Sequence, residues 1–345
     1  MTIAPALARV KAKSEGLDPG GITLYYSGMA YSKRGQALSC LLLSFLLLSC
    51  SGKGGSPAAS SQTAGKSPQA RKTIVVTYSV LGAAVREVAG EDFEVKVLIP
   101  NGLDVHEWEP SARDVESLMK ADLLVVNGLG LEAGMGKALA RAREAGVRCF
   151  TASDHVEVRR VGEGEGADAA DPDQAVGAAD PHLWTDPRAV KAFALALVPE
   201  LKADFGIDEA ARAAAFGARL DALDAEIKAL TAELPPERRR IVTGHESLGY
   251  FAQAYGFRLV GALVPSLSSE AETSAAWLSS LKKLIAENKV PVIFTEVGTS
   301  PQVVEALARE TGAMAVPLAT HNLPADGSYL SFERELATKI VDSLR

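Results

Sequence analysis

Cysteine is scarce in this sequence: there are three among 345 residues, Cys40, Cys50 and Cys149. So small and odd a number excludes a disulfide scaffold and a cysteine-rich zinc module. Positive charge is not in excess either. Lys plus Arg total 36 against 43 Asp plus Glu, a net charge of −7, which excludes a sequence-independent nucleic-acid binder with its basic surface. The apolar run from Ala37 to Leu48 is too short to span a membrane, which takes about 20 residues. Hydrophobic residues are plentiful at 47%, with 23% charged, so the chain folds, and its length predicts two domains at roughly 150 residues each.

The N-terminus reads as an address. Lys33-Arg34, the short apolar run and Leu47-Leu48-Ser49-Cys50 have the layout of a secretory signal. The last four residues resemble the lipobox of bacterial lipoproteins, which implies acylation at Cys50. Met29 would begin a signal of ordinary length, so residues 1–49 are expected to be a mis-called start followed by a lipoprotein signal peptide. Removing them takes away five basic and two acidic residues and leaves a net charge of −10. Residues 50–70, rich in Ser, Gly, Ala and Pro, predict a flexible tether.

The remainder contains a repeat. Thr73 to Tyr78 (TIVVTY) corresponds to Arg240 to Thr243 (RIVT), and each is followed by a small turn, Ser79-Val80-Leu81-Gly82 and Glu246-Ser247-Leu248-Gly249. Next come two strands stopped by proline, at Pro100 and Pro265. Two helical patterns follow, with Ser111 and Ser274 placed to cap them. The short apolar strands LLVVN (from Leu123) and VIFTE (from Val292) come next, then helices ending at Gly146 and Gly312. Strands alternating with helices imply right-handed crossovers and parallel sheets. The expected fold is α/β, with two similar (β/α) lobes at 71–205 and 238–345. Between them, Phe216, Leu220, Leu223, Ile227 and Leu230 recur at helical spacing in an Ala-rich segment closed by Pro235-Pro236. That predicts one long connecting helix within 206–237, about 27 residues and roughly 40 Å, with a ligand site in the cleft.

Histidine carries the candidate chemistry. Of the five, His106 and His245 lie just past strand ends and His182 lies in a loop between two prolines, Pro181 and Pro187. Ligands of parallel sheets bind outside the carboxyl ends of strands. Two of these histidines belong to the first lobe and one to the second, so they meet only across the cleft. His155 reads as an exposed residue and Cys149 as a buried thiol.

Three motifs, Asn101-Gly102-Leu103-Asp104-Val105-His106-Glu107-Trp108-Glu109-Pro110, Asp180-Pro181-His182-Leu183-Trp184-Thr185-Asp186-Pro187 and Thr243-Gly244-His245-Glu246-Ser247-Leu248-Gly249, resemble the ligand motifs of the zinc/manganese solute-binding lipoproteins of ABC transporters, the TroA-like family. Val105 replaces a common proline and Trp108 a usual tyrosine or phenylalanine; neither removes a donor. The resemblance covers Arg71 to Arg345. It implies two lobes joined by a long helix and a metal held by His106, His182, His245 and a carboxylate near the C-terminus. Asp326, shortly before Ser328-Tyr329, is the expected fourth ligand. Glu296 is the alternative fourth ligand or a support for the others, and His321 is an auxiliary candidate. The resemblance further implies a monomeric, lipid-anchored, extracytoplasmic protein that delivers Zn2+, or alternatively Mn2+, to a membrane permease and its ATPase. The acidic, glycine-rich loop 162–179 is a solvated segment or a collector of cations.

Three histidines and an aspartate also describe a zinc hydrolase. Here the expected ligands stand 76, 63 and 81 residues apart with no His-Glu-x-x-His pair, and a closed set of four leaves no position for the catalytic water. Binding without turnover is the favoured reading. A nitrogen-rich donor set favours zinc over manganese.

Overall fold

The computed structural model describes residues 71–162, 175–270 and 273–345, all within one compact unit, Lys66–Arg345. The signal, Cys50, the tether and most of the acidic loop lie outside the described residues.

The first lobe is built on β1 (Lys72–Tyr78), β2 (Phe93–Ile99), β3 (Leu123–Val126) and β4 (Cys149–Thr151), all parallel, in the order β2-β1-β3-β4. The second uses β5 (Arg240–Thr243), β6 (Arg258–Ala262), β7 (Val292–Thr295) and β8 (Met314–Pro317), also parallel, in the order β6-β5-β7-β8. The two orders are the same, which is the repeat in three dimensions. β-Branched residues dominate the central strands because both faces are covered.

Helices α1 (Ser79–Ala89), α2 (Ala112–Met119) and α3 (Gly136–Glu144) serve the first sheet; α6 (Gly249–Tyr255), α7 (Ala275–Asn288) and α8 (Pro301–Thr311) serve the second. Ser111 accepts from the Asp114 amide in a reciprocal capping box, and Ser274 accepts from the Trp277 amide, as their sequence positions predict. Gly146 (φ 85°) follows α3 and Gly312 (φ 76°) ends α8 in the left-handed region. Helix α4 (Pro187–Phe205) is capped by Asp186, whose carboxylate accepts from the Arg188 amide, and has Pro187 in its first turn.

The connecting helix is α5 (Ala210–Ala232), 23 residues or about 35 Å. It buries Phe216, Leu220, Leu223 and Ile227, while Leu230 is half-buried. It lies against α4, α1 and α6, and also against the last helix, α9 (Tyr329–Leu344). Thus the chain, after finishing the second lobe, turns back onto the connector and the first lobe.

The core is asymmetric. Ile241 of β5 and Val292 and Phe294 of β7 join one large apolar cluster with β1, β3, α4, α5, α6 and α9. Their neighbours Val242 and Ile293, pointing to the opposite sheet face, join a small separate cluster with α7 and α8. The period-2 alternation of a strand therefore welds one face of the second lobe to the first. Among the described residues no helix is long and apolar enough to cross a membrane.

Candidate metal centre

His106, His182, His245 and His321 converge, with one ring nitrogen from each lying within 4.8 Å of the others. All four are buried, at 0–2% exposure. The Nε2 of His182 lies 3.4 Å from that of His106 and 3.2 Å from that of His245. A tetrahedron with metal–nitrogen bonds of 2.0–2.1 Å has an edge of about 3.3 Å, so these separations fit one ion.

Each histidine is placed by a loop beyond the carboxyl end of a strand, and its other ring nitrogen or its backbone is held. The loop after β2 carries His106, whose amide donates to Asp104 Oδ1 at 2.9 Å. His182 sits in a turn anchored by the Asn127 side chain, which donates to the Pro181 carbonyl. Its Nδ1 lies 2.9 Å from Asp180 Oδ1, and Asp180 Oδ2 accepts from the buried Arg159 at 3.0 Å. His245 follows β5 by two residues. Its Nδ1 lies 2.6 Å from Glu296 Oε2, and the other Glu296 oxygen accepts from Ser247 at 2.6 Å. Glu296 is thus a support for His245 and not a member of the cluster. His321 follows β8 by four residues, with its Nδ1 3.1 Å from Thr320 Oγ1 and its Nε2 left for the cluster. Carboxylates on the far side of imidazoles fix the tautomer and aim Nε2 inward.

Asp326 is elsewhere. Its carboxylate is exposed, accepting from the Ser328 amide at 3.0 Å and from Ser331 Oγ at 2.6 Å, where it braces the turn before α9. The expected fourth position is occupied by His321 instead. The physical reason lies in chain direction: after β8 the backbone passes the cluster at residues 320–321 and has already left it by 326. The signal that marked His106 and His245, a histidine just past a strand end, also marks His321.

The His321 segment is attached to the first lobe. Asn101 exchanges two hydrogen bonds with the Leu323 backbone, Ser79 Oγ donates to the His321 carbonyl and Trp184 Nε1 donates to the Thr320 carbonyl. His106 and His182 come from the first lobe and His245 and His321 from the second, with the His321 segment tied across to the first. The lobes meet behind His182, where the Arg159 amide donates to Tyr250 Oη at 2.9 Å and Gly249 lies directly on the Asp180–Arg159 pair. A β-carbon at Gly249 would collide with both side chains. The corresponding Gly82 makes the same kind of close approach, onto Val97.

Burial, followed by the charge of the neighbouring imidazoles, holds His106 and His321 well below the usual histidine range. Burial, His245 and Arg159 do the same to His182. For His245 burial acts downward, but the charge and hydrogen bond of Glu296 more than reverse it, so its affinity for a proton is raised. Burial lifts Asp180 to about 6 against the pull of Arg159. Three of the four imidazoles are therefore neutral, lone-pair donors at neutral pH. His155 stacks on Phe150 and stays outside, and Cys149 is a half-buried free thiol.

Two parallel α/β lobes, a long connecting helix and a buried nitrogen-rich cluster between the lobes define a solute-binding protein built for a metal cation. Residues 74–343 match the family described as zinc-uptake complex component A, periplasmic, and the chain belongs to that family. It is a family of metal solute-binding proteins of ABC transporters, not of enzymes. Over 242 residues the chain is 34% identical to the zinc-binding protein TroA of Treponema pallidum (strain Nichols), covering 68% of this chain and 73% of that protein. Over 315 residues it is 28% identical to the manganese ABC transporter substrate-binding lipoprotein PsaA of Streptococcus pneumoniae, covering 88% and 95%. The solved structure of periplasmic TroA superposes with a TM-score of 0.65 at 30% identity, over 79% of this chain and 99% of that one. The manganese-bound periplasmic metal-binding protein from Candidatus Liberibacter asiaticus shares the fold, with a TM-score of 0.67 at 24% identity over 80% and 100%.

Proposed function

We propose that the protein captures zinc outside the cytoplasm and delivers it to the permease and ATPase of an ABC importer, with His106, His182, His245 and His321 as its ligands. The observation that supports this most directly is the donor set. Four imidazole nitrogens with no carboxylate among them suit zinc, whereas manganese favours carboxylate, carbonyl and water oxygens. Intrinsic affinities at nitrogen sites also place zinc well above manganese. The relatives carry both metals in their names, so the choice rests on this chain's own residues. His245 and His321 are the positions that matter, because a carboxylate at either would move the set toward oxygen.

The tether and Cys50 suit anchoring of the mature chain to the membrane, a reading the lipoprotein relatives favour. A single chain supplies all four candidate donors, which suits a monomer. Metal analysis of protein purified without chelator, followed by competition titration, tests the assignment. One zinc per chain that manganese fails to displace at equal concentration is expected; displacement by manganese, or isolation with a different bound metal, overturns the choice of zinc.

A further inference from the structure

The four imidazoles are sealed from solvent at 0–2% exposure, so an ion reaches them only through the protein's outer layer. Two of the loops that hold the cluster carry exposed apolar side chains. Leu103, in the loop carrying His106, is 44% exposed, and Val297, in the loop after Glu296, is 36% exposed. Between exposed Leu103 and buried His106 lies Asp104, at 8% exposure. One of its oxygens is used to hold the His106 amide, while Oδ2 is buried and has no hydrogen-bond partner. A buried, unpartnered carboxylate oxygen is costly, and one persisting in a native fold calls for a reason.

The surroundings of Oδ2 point to that reason. Gly298 of the second lobe, held at φ 87°, approaches it closely: a β-carbon there would lie 3.1 Å from Oδ2. The same β-carbon would lie 3.8 Å from Cβ of Ser269, whose Oγ is also buried without a partner. Two buried oxygens without hydrogen-bond partners, one from each lobe, thus flank Gly298, and the charge of Asp104 is felt by His245. The other carboxylates around the cluster are already engaged. Asp180 is paired with Arg159 and His182, and Glu296 with His245 and Ser247.

We propose that Asp104, assisted by Ser269, is a relay ligand beneath the protein's outer layer that holds the divalent ion in transit between solvent and the four histidines. This rests on the reading of the histidine cluster as the metal site. A carboxylate replaces part of the ion's water shell as it enters and is an incoming oxygen donor as imidazoles let go. Because it stabilises the ion en route more than at either end, it lowers the barrier in both directions.

The test uses Co2+, whose visible bands report the four-nitrogen set, in stopped-flow association and in chelator-driven release from the full chain. Asp104→Asn keeps an oxygen to accept from the His106 amide while removing the charge. Association and release are both expected to slow about tenfold, the lower end of what a focused charge contributes to binding rates. The visible spectrum of the loaded protein should be unchanged. Ser269→Ala, which leaves the loop carrying His106 untouched, should slow both rates less. Release that is unchanged or faster in Asp104→Asn overturns the relay. If instead His321→Ala takes up Co2+ with the wild-type spectrum and affinity, the histidine assignment itself fails, so the two outcomes are distinguishable.

Discussion

At the scale of single residues, the proposed metal centre is four nitrogens held in place by neighbours of opposite character. Loss of a partner behind a ligand typically costs 10–100-fold in metal affinity, so loss of a donor should cost more. His321→Ala is therefore expected to weaken zinc binding by more than about a hundredfold, while Asp326→Ala leaves it unchanged and slightly lowers the melting temperature through the turn before α9; equal affinities for the two variants in a competition assay would refute the assignment. Protons compete unevenly at this centre. His106, His182 and His321 already resist protonation, so they release no protons on metal binding near neutrality. His245, with its affinity for a proton raised by Glu296, is the group that must give one up. Apparent affinity should accordingly rise about tenfold per pH unit up to the pKa of His245 and level off above it, with one proton released per metal. Calorimetry in buffers of different ionisation enthalpy measures that proton; three or four released protons would contradict it. The sequence made His106, His182 and His245 legible because motif and strand-end position agreed. Asp326, located by its spacing from Ser328-Tyr329, lies outside the cluster, because spacing along the chain does not say where the backbone passes the cleft. Asp180 and Arg159 were not legible as a pair, since their contact depends on a loop closing over 21 residues.

At the scale of elements, the repeat was readable in detail, because strands covered on both faces and helices with clear caps carry local signals. The packing of α9 on the connector was not readable, since it depends on contacts with residues more than a hundred positions earlier in the chain. Its placement on α5 has a cost that can be measured. Glu333 lies on the buried face of α9, with both carboxylate oxygens unpartnered, and burial together with Asp186 raises its proton affinity well above normal. The folded state therefore favours the protonated acid. When the unfolded chain ionises above its ordinary range, near 4.3, stability is lost as pH rises and stops falling only above the folded-state pKa. Glu333→Gln removes that titration. Its gain at pH 7–8 should be about 1–3 kcal/mol, the penalty of an unpaired buried polar group, and should vanish below pH 4. Denaturant unfolding at the two pH values checks this. A variant no more stable than the parent at pH 8 would show that the carboxylate is not desolvated.

At the scale of the whole molecule, the question is how far the lobes move when the ion binds. A wide hinge needs flexible crossings, and this protein has few. Its connector is a continuous helix of 23 residues packed along most of its length. The chain's return through α9 places a second helix against the same connector. The inner face of the second sheet contributes Ile241, Val292 and Phe294 to the core of the first lobe, so opening would expose apolar surface at roughly 25 cal/mol per Å2. Behind His182, Gly249 and Tyr250 of the second lobe seat directly on Asp180 and Arg159 of the first. Of the two donors from the second lobe, His321 is already hydrogen-bonded to the first through Ser79, Asn101 and Trp184, so recruiting His245 takes local adjustment of residues 244–248 and 296–299. Scattering curves of metal-free and metal-loaded protein should therefore nearly superimpose, with hydrogen exchange changing mainly in those two loops and in 101–106. Gly249→Ala provides the opposite case. Its added methyl group would wedge against the Asp180–Arg159 pair, holding the lobes apart and weakening binding without touching a ligand. A clear drop in the radius of gyration of the parent on metal binding, or full affinity in Gly249→Ala, would mean that the lobes are joined more loosely than their shared core implies.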